Sequence, residues 1–176
     1  MVARSGFYID GDKLCRVDVK IDWNLGFDKL AKEAYVAELI TALSKVCPGM
    51  DIAEVTSAST NEYTRMLSPI FIEYKGGKSM EDYYQSINKD YMALRLGVDK
   101  SFVFPHFYCA NAVHMLPLIR LFDIFTDVFY NPTKPGGTQA EACAILKLLD
   151  KENNLNILSN PPLFQKWCLE RMSYRR

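Results

Sequence analysis

The feature that most constrains the fold is a change of hydrophobic period near the start of the chain. Residues 7–23 (FYIDGDKLCRVDVKIDW) alternate apolar and polar side chains on either side of Asp10-Gly11, which predicts two strands joined by a tight turn. From Phe27 to Val46 the apolar residues recur every three or four positions, until Cys47-Pro48-Gly49 ends the run. That spacing predicts a helix. Its apolar positions are Phe27, Leu30, Ala34, Ala37, Ile40 and Leu43.

Further elements follow along the chain. Residues 51–60 (DIAEVTSAST) predict a short strand that enters a tight loop, and Ile70–Tyr74 predicts a second strand pair ended by Lys75-Gly76-Gly77. Ser79 is placed to cap one helix that runs to about Leu96, with Gly97 closing it. The middle of the chain therefore mixes strands and helices.

The second half of the chain is predicted to be mostly helical. Residues 102–130 are rich in aromatic and large aliphatic side chains, with Pro105 and Pro117 as expected breaks between buried helices. Thr138 and Glu141 form a T-x-x-E capping box before an apolar run, and Asn160-Pro161 predicts the start of a last helix. The expected fold class is α+β, a predominantly helical single domain with small N-terminal antiparallel strands. Its expected parts are a hairpin over residues 1–26, a core over 27–150 and a C-terminal helix within 151–176.

Composition limits the partners of the chain. Its 176 residues, 49% of them apolar, suit one domain with a sizeable core. The 21 basic and 21 acidic side chains cancel, which argues against binding nucleic acid by neutralising many phosphates, so any contact with DNA is expected to be local. A leader peptide and a membrane-spanning run are both missing from the pattern, so a cytoplasmic location with no membrane partner is expected.

Metal chemistry is not expected. The five cysteines are widely spread without a CxxC pair, which predicts reduced and mostly buried thiols. His106 and His114 lack a neighbouring cysteine or carboxylate cluster that would complete a metal site. We therefore expect neither a metal nor a cofactor.

One polar stripe is a candidate site. Glu81, Tyr84, Gln85 and Asn88 are three or four residues apart, so they share one face of the predicted helix. A carboxylate can accept hydrogen bonds from ribose hydroxyls or polarise an anomeric centre, while the amides orient the sugar. An ordinary solvated helix face explains the same spacing and is favoured by the spacing alone.

Three weaker candidates lie elsewhere. Gly136-Gly137 precedes a capped helix, where backbone N–H groups can receive an anion such as pyrophosphate, although a plain flexible turn explains it equally well. Ser57, Ser59 and Thr60 offer hydroxyls to a phosphate or ribose, but such residues are also common turn formers. Three tyrosines are candidates to stack on a base, with core packing as the alternative: Tyr83, Tyr84 and Tyr91.

Several dispersed blocks resemble the NADAR family, in the branch associated with DarT-type toxins. The segment Ser79–Ser86 (SMEDYYQS) resembles the family motif of a serine or threonine, an acidic residue, an aromatic pair and a glutamine. Other blocks agree in order and spacing, and together they cover roughly residues 13 to 149. They are Val17–Trp23 with Gly26, Glu54–Ser59, Leu67-Ser68, Phe125–Pro132 and Gln139-Ala140.

The resemblance implies an antitoxin-type hydrolase that removes ADP-ribose from guanine bases of DNA and so reverses a DarT-type toxin. It implies ADP-ribosylated DNA, single-stranded or with a flipped guanine, and ADP-ribose as ligands, and a DarT-type toxin as a candidate partner. Glu81 would contact or activate the ribose and Gln85 would orient it. Asp127, Asn131 and Gln139 would shape the nucleotide pocket. We also expect at the ligand site Ser57, Ser59, Leu67, Ser68, Tyr84, Gly136 and Gly137.

The chain departs from the family pattern at a position where the family has a lysine that is expected to take part in catalysis. The family has a lysine three positions after the glutamine, where this chain has Asn88, and Lys89 follows one position later. A helix advances about 100° per residue, so Lys89 points elsewhere unless the helix is irregular or the side chain reaches back. Phe71 and Cys109-Ala110 also replace residues that are usual in the family.

Three hypotheses remain at this point. The first is the DNA-guanine ADP-ribosyl glycohydrolase, with Glu81, Lys89 and Asn88 as catalytic candidates. The second, motivated by Asn88, is a protein that binds ADP-ribosylated DNA or the toxin without hydrolysing anything. The third is an N-glycosidase that acts on small nucleotide-like metabolites.

Overall fold

The chain opens with the hairpin that the alternating pattern predicts. Strand β1 (Val2–Asp10) pairs antiparallel with β2 (Lys13–Ile21), and Asp10 lies opposite Lys13, so two residues make the turn. Gly11 occupies the first turn position with a φ of 61°, a left-handed conformation that glycine adopts without steric cost. The hairpin is confirmed, and β1 begins earlier than its sequence pattern.

Two short strands complete a mixed sheet. Strands β3 (Ile52–Glu54) and β4 (Ile124–Thr126) are parallel to each other, and β4 is antiparallel to β1, which gives the order β2-β1-β4-β3. The expected strand at 51–60 is confirmed. Strand β4 was not expected, because all three of its side chains are buried and a strand covered on both faces shows no alternation.

The computed structural model describes residues 1–133 and 136–175. These form one α+β domain, 51% helical, around the small sheet, which confirms the expected class. Short 3₁₀ turns lie at Lys75–Gly77, Val113–Met115 and Leu155–Ser159. The α-helices of the domain are α1 (Lys29–Val46), α2 (Glu62–Arg65), α3 (Met80–Ser86), α4 (Lys89–Leu96), α5 (Lys100–Asn111), α6 (Leu116–Ile119), α7 (Gln139–Lys151) and α8 (Pro161–Arg171).

Two hydrophobic clusters flank the sheet. The larger joins Phe7 and Phe125 to the helices that follow β3, including the fully buried middle of α7. The smaller packs α1 against Val19 and Ile21 of β2. Gly6 permits this packing, because a β-carbon there would come within 3.0 Å of a Leu43 methyl group. Truncating a core leucine of this kind typically costs about 2–5 kcal/mol.

The buried face of α1 differs from the predicted apolar positions. Phe27 and Leu30 are 69% and 76% exposed, and Asp28 caps the helix by accepting a hydrogen bond from the Ala31 N–H. Both faces of this helix carry apolar residues at helical spacing, so the packing of the helix against the sheet determines which face is buried. The buried residues are Ala31, Tyr35, Val36, Leu39 and Leu43.

Two other expectations were wrong. Ile70–Tyr74 forms no strand pair: the Phe71 N–H donates to the Ser68 carbonyl in a local turn, and Glu73 meets Ser79 in an isolated bridge. Helix α5 runs straight through Pro105, since burial of the surrounding side chains offsets the one hydrogen bond that proline removes. Pro117, in contrast, stands in the first turn of α6 as expected.

Helix boundaries elsewhere follow the capping signals. Asn160 caps α8 by accepting from the Leu163 N–H, and Trp167 and Cys168 are buried in that helix. Among the described residues, no single helix combines the length and apolar composition needed to cross a membrane.

Candidate functional site

A cavity of about 830 Å³ opens between the helices and the loops that follow β4, a size typical of small-molecule sites. We call its two sides the helical wall and the loop wall. The helical wall consists of Glu81, Tyr84, Gln85, Lys89, Asp99, Lys100, Ser101 and Phe104. The loop wall consists of Asp127, Phe129, Tyr130, Gly136, Gly137, Thr138 and Gln139.

Helix α3 brings the predicted polar stripe to the helical wall. Ser79 caps the helix, accepting from the Asp82 N–H at 3.0 Å, and the Gln85 side-chain amide donates to Glu81 Oε1 at 2.7 Å. Burial, with a smaller contribution from the charge of Glu81, raises the pKa of Tyr84. The phenol therefore stays protonated at neutral pH and can donate a hydrogen bond to a ligand.

The single helix expected from Ser79 to Leu96 is broken. Ile87 has extended backbone angles, and Asn88 caps α4 by accepting from the Tyr91 N–H at 2.9 Å. Asparagine is favoured at this position because its side-chain oxygen can accept a hydrogen bond from a backbone N–H in the first turn of the helix. Gly97 closes α4 in a left-handed conformation, as predicted. Asn88 is therefore a capping residue and does not line the cavity.

The break places Lys89 at the first position of α4, beside Gln85. Its ammonium is 3.5 Å from the Gln85 side-chain oxygen, 3.4 Å from the Gln85 backbone carbonyl and 4.9 Å from the centre of the Tyr84 ring. In a continuous helix Asn88 would lie nearer the middle of the stripe than Lys89. Lys89 lies four residues after Gln85, as Gln85 does after Glu81, a spacing that places side chains next to each other. The two contacts join Glu81, Gln85 and Lys89 into one cluster at the cavity.

The loop wall is organised by Asp127. One carboxylate oxygen accepts from the backbone N–H groups of Phe129 at 2.9 Å and Tyr130 at 3.1 Å. The other accepts from the Thr138 hydroxyl at 2.6 Å. Burial raises the pKa of Asp127, against the lowering effect of these hydrogen bonds and of the positive charge of Arg4. The carboxylate thus ties the segment after β4 to the start of α7.

Two helices begin at the cavity. Helix α7 is capped by Thr138, whose hydroxyl accepts from the Ala140 N–H, and the first residues of α5 line the opposite wall. Free N–H groups and the helix dipole favour an anion at such ends. Glu141, the other residue of the predicted capping box, is buried and accepts from the Tyr174 hydroxyl at 2.9 Å.

The buried carboxyl group of Glu54 supports the loop wall through hydrogen bonds to its backbone. Glu54 accepts from the Val128 N–H at 3.1 Å and from the N–H and hydroxyl of Thr56 at 3.2 and 3.0 Å. Burial raises the pKa of Glu54 to about 7. The sequence placed Glu54 in a block of the family resemblance but offered no sign of this support.

Six predicted site residues lie outside the cavity lining. Ser57 is exposed, the Ser59 and Thr64 hydroxyls share a hydrogen bond of 2.8 Å, and the buried Leu67 accepts from the Tyr108 hydroxyl at 2.6 Å. These contacts build turns and core. The six are Ser57, Ser59, Leu67, Ser68, Asn88 and Asn131. The eight that the fold brings together are Glu81, Tyr84, Gln85, Lys89, Asp127, Gly136, Gly137 and Gln139.

Seven lining residues were not among the predicted site residues. Phe129 and Tyr130 stand beside Asp127 in the Phe125–Pro132 block, so their place in that block was the available signal. Lys100 pairs with Asp90 at 2.9 Å and thereby links α5 to α4, a contact that sequence spacing does not reveal. The seven are Asp99, Lys100, Ser101, Phe104, Phe129, Tyr130 and Thr138.

The histidines and cysteines lie apart from this cavity. A His106 ring nitrogen is 2.9 Å from the Leu158 carbonyl oxygen, and burial lowers the pKa of His106. The five cysteines form no disulfide within the described part of the chain, and three of them are buried. Within residues 1–133 and 136–175, no group of three or more His, Cys, Asp or Glu side chains is arranged to hold a metal ion.

Comparison of the chain with family models and with curated proteins gave no match.

Proposed function

We propose that this chain is a hydrolase of the NADAR type that removes ADP-ribose from guanine bases in DNA and acts as an antitoxin against a DarT-type toxin. The observation that carries the proposal is the cluster of Glu81, Gln85 and Lys89 at a nucleotide-sized cavity. The cluster begins within the segment that resembles the NADAR motif. The motif and the geometry thus both point to Glu81 and Gln85, and the geometry adds Lys89.

The cavity has the features that an ADP-ribose unit requires. The starts of α5 and α7, with Gly136 and Gly137, offer backbone N–H groups and a favourable dipole to a pyrophosphate. Glu81 and Gln85 offer an acceptor and an amide to vicinal ribose hydroxyls. The guanine enters from single-stranded DNA or after extrusion from a duplex, since a base inside the stack is out of reach.

The reaction breaks the bond between the anomeric carbon of the ribose and the guanine amino nitrogen. The oxygen of water ends on the anomeric carbon, and a proton ends on the released amino group. Glu81 can take the proton from the attacking water or from a ribose hydroxyl, a role that typically contributes 10²–10⁴-fold. Lys89, with Gln85 beside it, supplies either a positive charge or a nucleophile. As a nucleophile its amine displaces the guanine amino group from the anomeric carbon of the opened ribose and forms an imine, which water then hydrolyses to ADP-ribose and the free lysine.

Release of ADP-ribose from a guanine-ADP-ribosylated oligonucleotide tests the proposal. We expect multiple turnovers for the wild type and at least a 100-fold lower rate for Glu81→Gln. Asp82→Asn is the matched control, because Asp82 is an exposed carboxylate on the same helix outside the cavity. Its rate should stay close to wild type, and all three proteins should unfold at similar temperatures.

Trapping with borohydride distinguishes the two roles of Lys89. An imine would be reduced to a stable adduct on Lys89, absent from Lys89→Gln and retained in Lys78→Gln, where the exposed Lys78 lies outside the cavity lining. An active enzyme without an adduct would point to direct attack by water.

Other outcomes would replace the proposal. A folded protein that binds the modified DNA but releases nothing would be a binder. Because Asn88 caps α4, its presence is no longer an argument for that hypothesis. Activity restricted to free nucleotide-like substrates would make the chain a small-molecule N-glycosidase.

A further inference from the structure

Phe129 differs from the other aromatic residues of the cavity. Tyr84 packs edge-on against Phe104 with ring centres 5.0 Å apart, and Tyr130 packs against Phe7 at 5.8 Å. Phe129 is 42% exposed and has no ring partner among the described residues. A large apolar side chain therefore stands open to solvent inside the cavity.

The backbone on both sides of Phe129 is fixed. Its own N–H donates to Asp127, the preceding Val128 is fully buried and donates to Glu54, and the following Tyr130 donates to Asp127. Hydrogen bonds to two buried carboxyl groups thus hold this segment in one conformation. Such preorganisation lowers the entropy cost of presenting an aromatic ring to a ligand.

The other residues that line the cavity narrow the class of ligand that would contact the Phe129 ring. Two helix starts favour an anion, and Glu81, Gln85 and Lys89 favour a polyhydroxylated group. A ligand that is anionic and hydroxylated and also has a flat apolar face is a nucleotide. Exposed aromatic side chains bind bases by stacking, because every base offers a π-face.

We propose that Phe129 is the stacking platform for a purine ring of the bound nucleotide. The proposal deepens the proposed function and rests on it for the choice of ligand. The purine is either the adenine of ADP-ribose or the target guanine, and the chemistry of stacking is the same for both. Phe129 would determine affinity, while Glu81 and Lys89 would determine the rate of the chemical step.

The test uses three variants of the full chain. Phe129→Leu removes the π-face but keeps an apolar side chain, and Phe129→Trp replaces the ring with a larger aromatic ring. Phe71→Leu is the matched control, since Phe71 is 44% exposed, similar to the 42% of Phe129, and lies outside the cavity lining. Calorimetry with ADP-ribose measures Kd, and turnover of the modified oligonucleotide measures KM and kcat. Thermal unfolding confirms that each variant is folded.

The two sources of the purine give different results. If adenine stacks on Phe129, Phe129→Leu raises the Kd of ADP-ribose about tenfold, and Phe129→Trp and Phe71→Leu stay near wild type. If guanine stacks there, the Kd of ADP-ribose is unchanged and KM for the modified DNA rises by a similar factor. In either case kcat changes little, because stacking acts equally on the ground state and the transition state.

Failure of this inference differs from failure of the proposed function. Turnover with Kd and KM both insensitive to Phe129→Leu would overturn the stacking platform and leave the hydrolase standing. Binding of ADP-ribose that depends on Phe129, without any turnover, would support the platform and remove the hydrolase. A wild type that binds neither ADP-ribose nor the modified DNA would overturn both.

Discussion

The two walls of the cavity are built in different ways. The helical wall is tied together by contacts on the protein surface. They are the Glu81–Gln85 hydrogen bond, the contact of Lys89 with Gln85, and the ion pair of Asp90 with Lys100. The loop wall is held by the buried carboxyl groups of Asp127 and Glu54, which accept hydrogen bonds from backbone N–H groups and hydroxyls.

The helical wall therefore contributes reactive side chains, whereas the loop wall contributes stability. Exposed hydrogen bonds and ion pairs contribute little to the free energy of unfolding, so the helical wall can place reactive groups with little effect on stability. Buried hydrogen bonds are costly to break, because a stranded donor loses water as well as its partner. Substitutions in the helical wall should therefore change activity, and substitutions below the loop wall should change stability.

The largest expected effect on stability comes from Asp127→Ala. It strands two backbone N–H groups and the Thr138 hydroxyl, so the free energy of unfolding should fall by about 3 kcal/mol. Glu81→Ala, its counterpart in the helical wall, should change it by less than about 0.5 kcal/mol. Urea denaturation of both variants measures the contrast. Equal losses would mean that the two walls are built alike.

A second effect is a pH dependence that arises below the loop wall. Because the folded-state pKa of Glu54 is raised from 4.5 to about 7, the folded protein holds a proton that the unfolded chain releases. The free energy of unfolding should therefore fall as pH rises from about 4.5 through 7, by about 3 kcal/mol at most. Asp127, whose pKa is also raised, acts in the same direction.

Denaturation at several pH values between 5 and 8 checks this dependence, with Glu54→Gln as the comparison. The variant should show a flatter profile across the window. Asp150 and Glu152 have lowered pKa values, so the stability that they contribute is lost only as pH falls through the acidic range. His106, whose pKa is lowered by burial, acts in the opposite direction in this window, so the contribution of Glu54 is the difference between the wild-type and Glu54→Gln profiles. A difference that stays constant between pH 5 and 8 would contradict the role assigned to Glu54.

The smallest effect concerns the break between α3 and α4. Asn88→Asp keeps a good capping side chain and should leave stability and turnover near wild type, whereas Asn88→Ala should lose about 1 kcal/mol. Chemical denaturation and the ADP-ribose release assay measure the two effects. If Asn88→Asp abolished turnover at unchanged stability, Asn88 would belong to the site rather than to the cap.

Local signals in the sequence located much of the secondary structure. Ser79, Thr138 and Asn160 each cap the helix expected after them, because capping depends on residues within one turn. The stripe of Glu81, Tyr84 and Gln85 also lies on one helix face as expected. These features required no knowledge of distant parts of the chain.

Other features depended on distant contacts and were missed. Strand β4 is only three residues long and exists because β1 and β3 pair with it on its two sides. The buried face of α1 was chosen by the sheet, since apolar residues occur on both of its faces. Eight of the fourteen predicted site residues line the cavity, and the six others had been selected for a polar type or motif position that turns and core packing also use.

The sequence by itself thus determined the hairpin, the α+β class and the face of α3 that bears the polar stripe, because periodicity and capping act over a few residues. Only the tertiary structure decided which residues lie across the cavity from Glu81 and Gln85, and that Glu54 and Asp127 together fix the opposite wall. The opposite wall depends on hydrogen bonds between distant segments, such as that between Glu54 and Val128, which are 74 positions apart. Such contacts are set by packing of the whole chain.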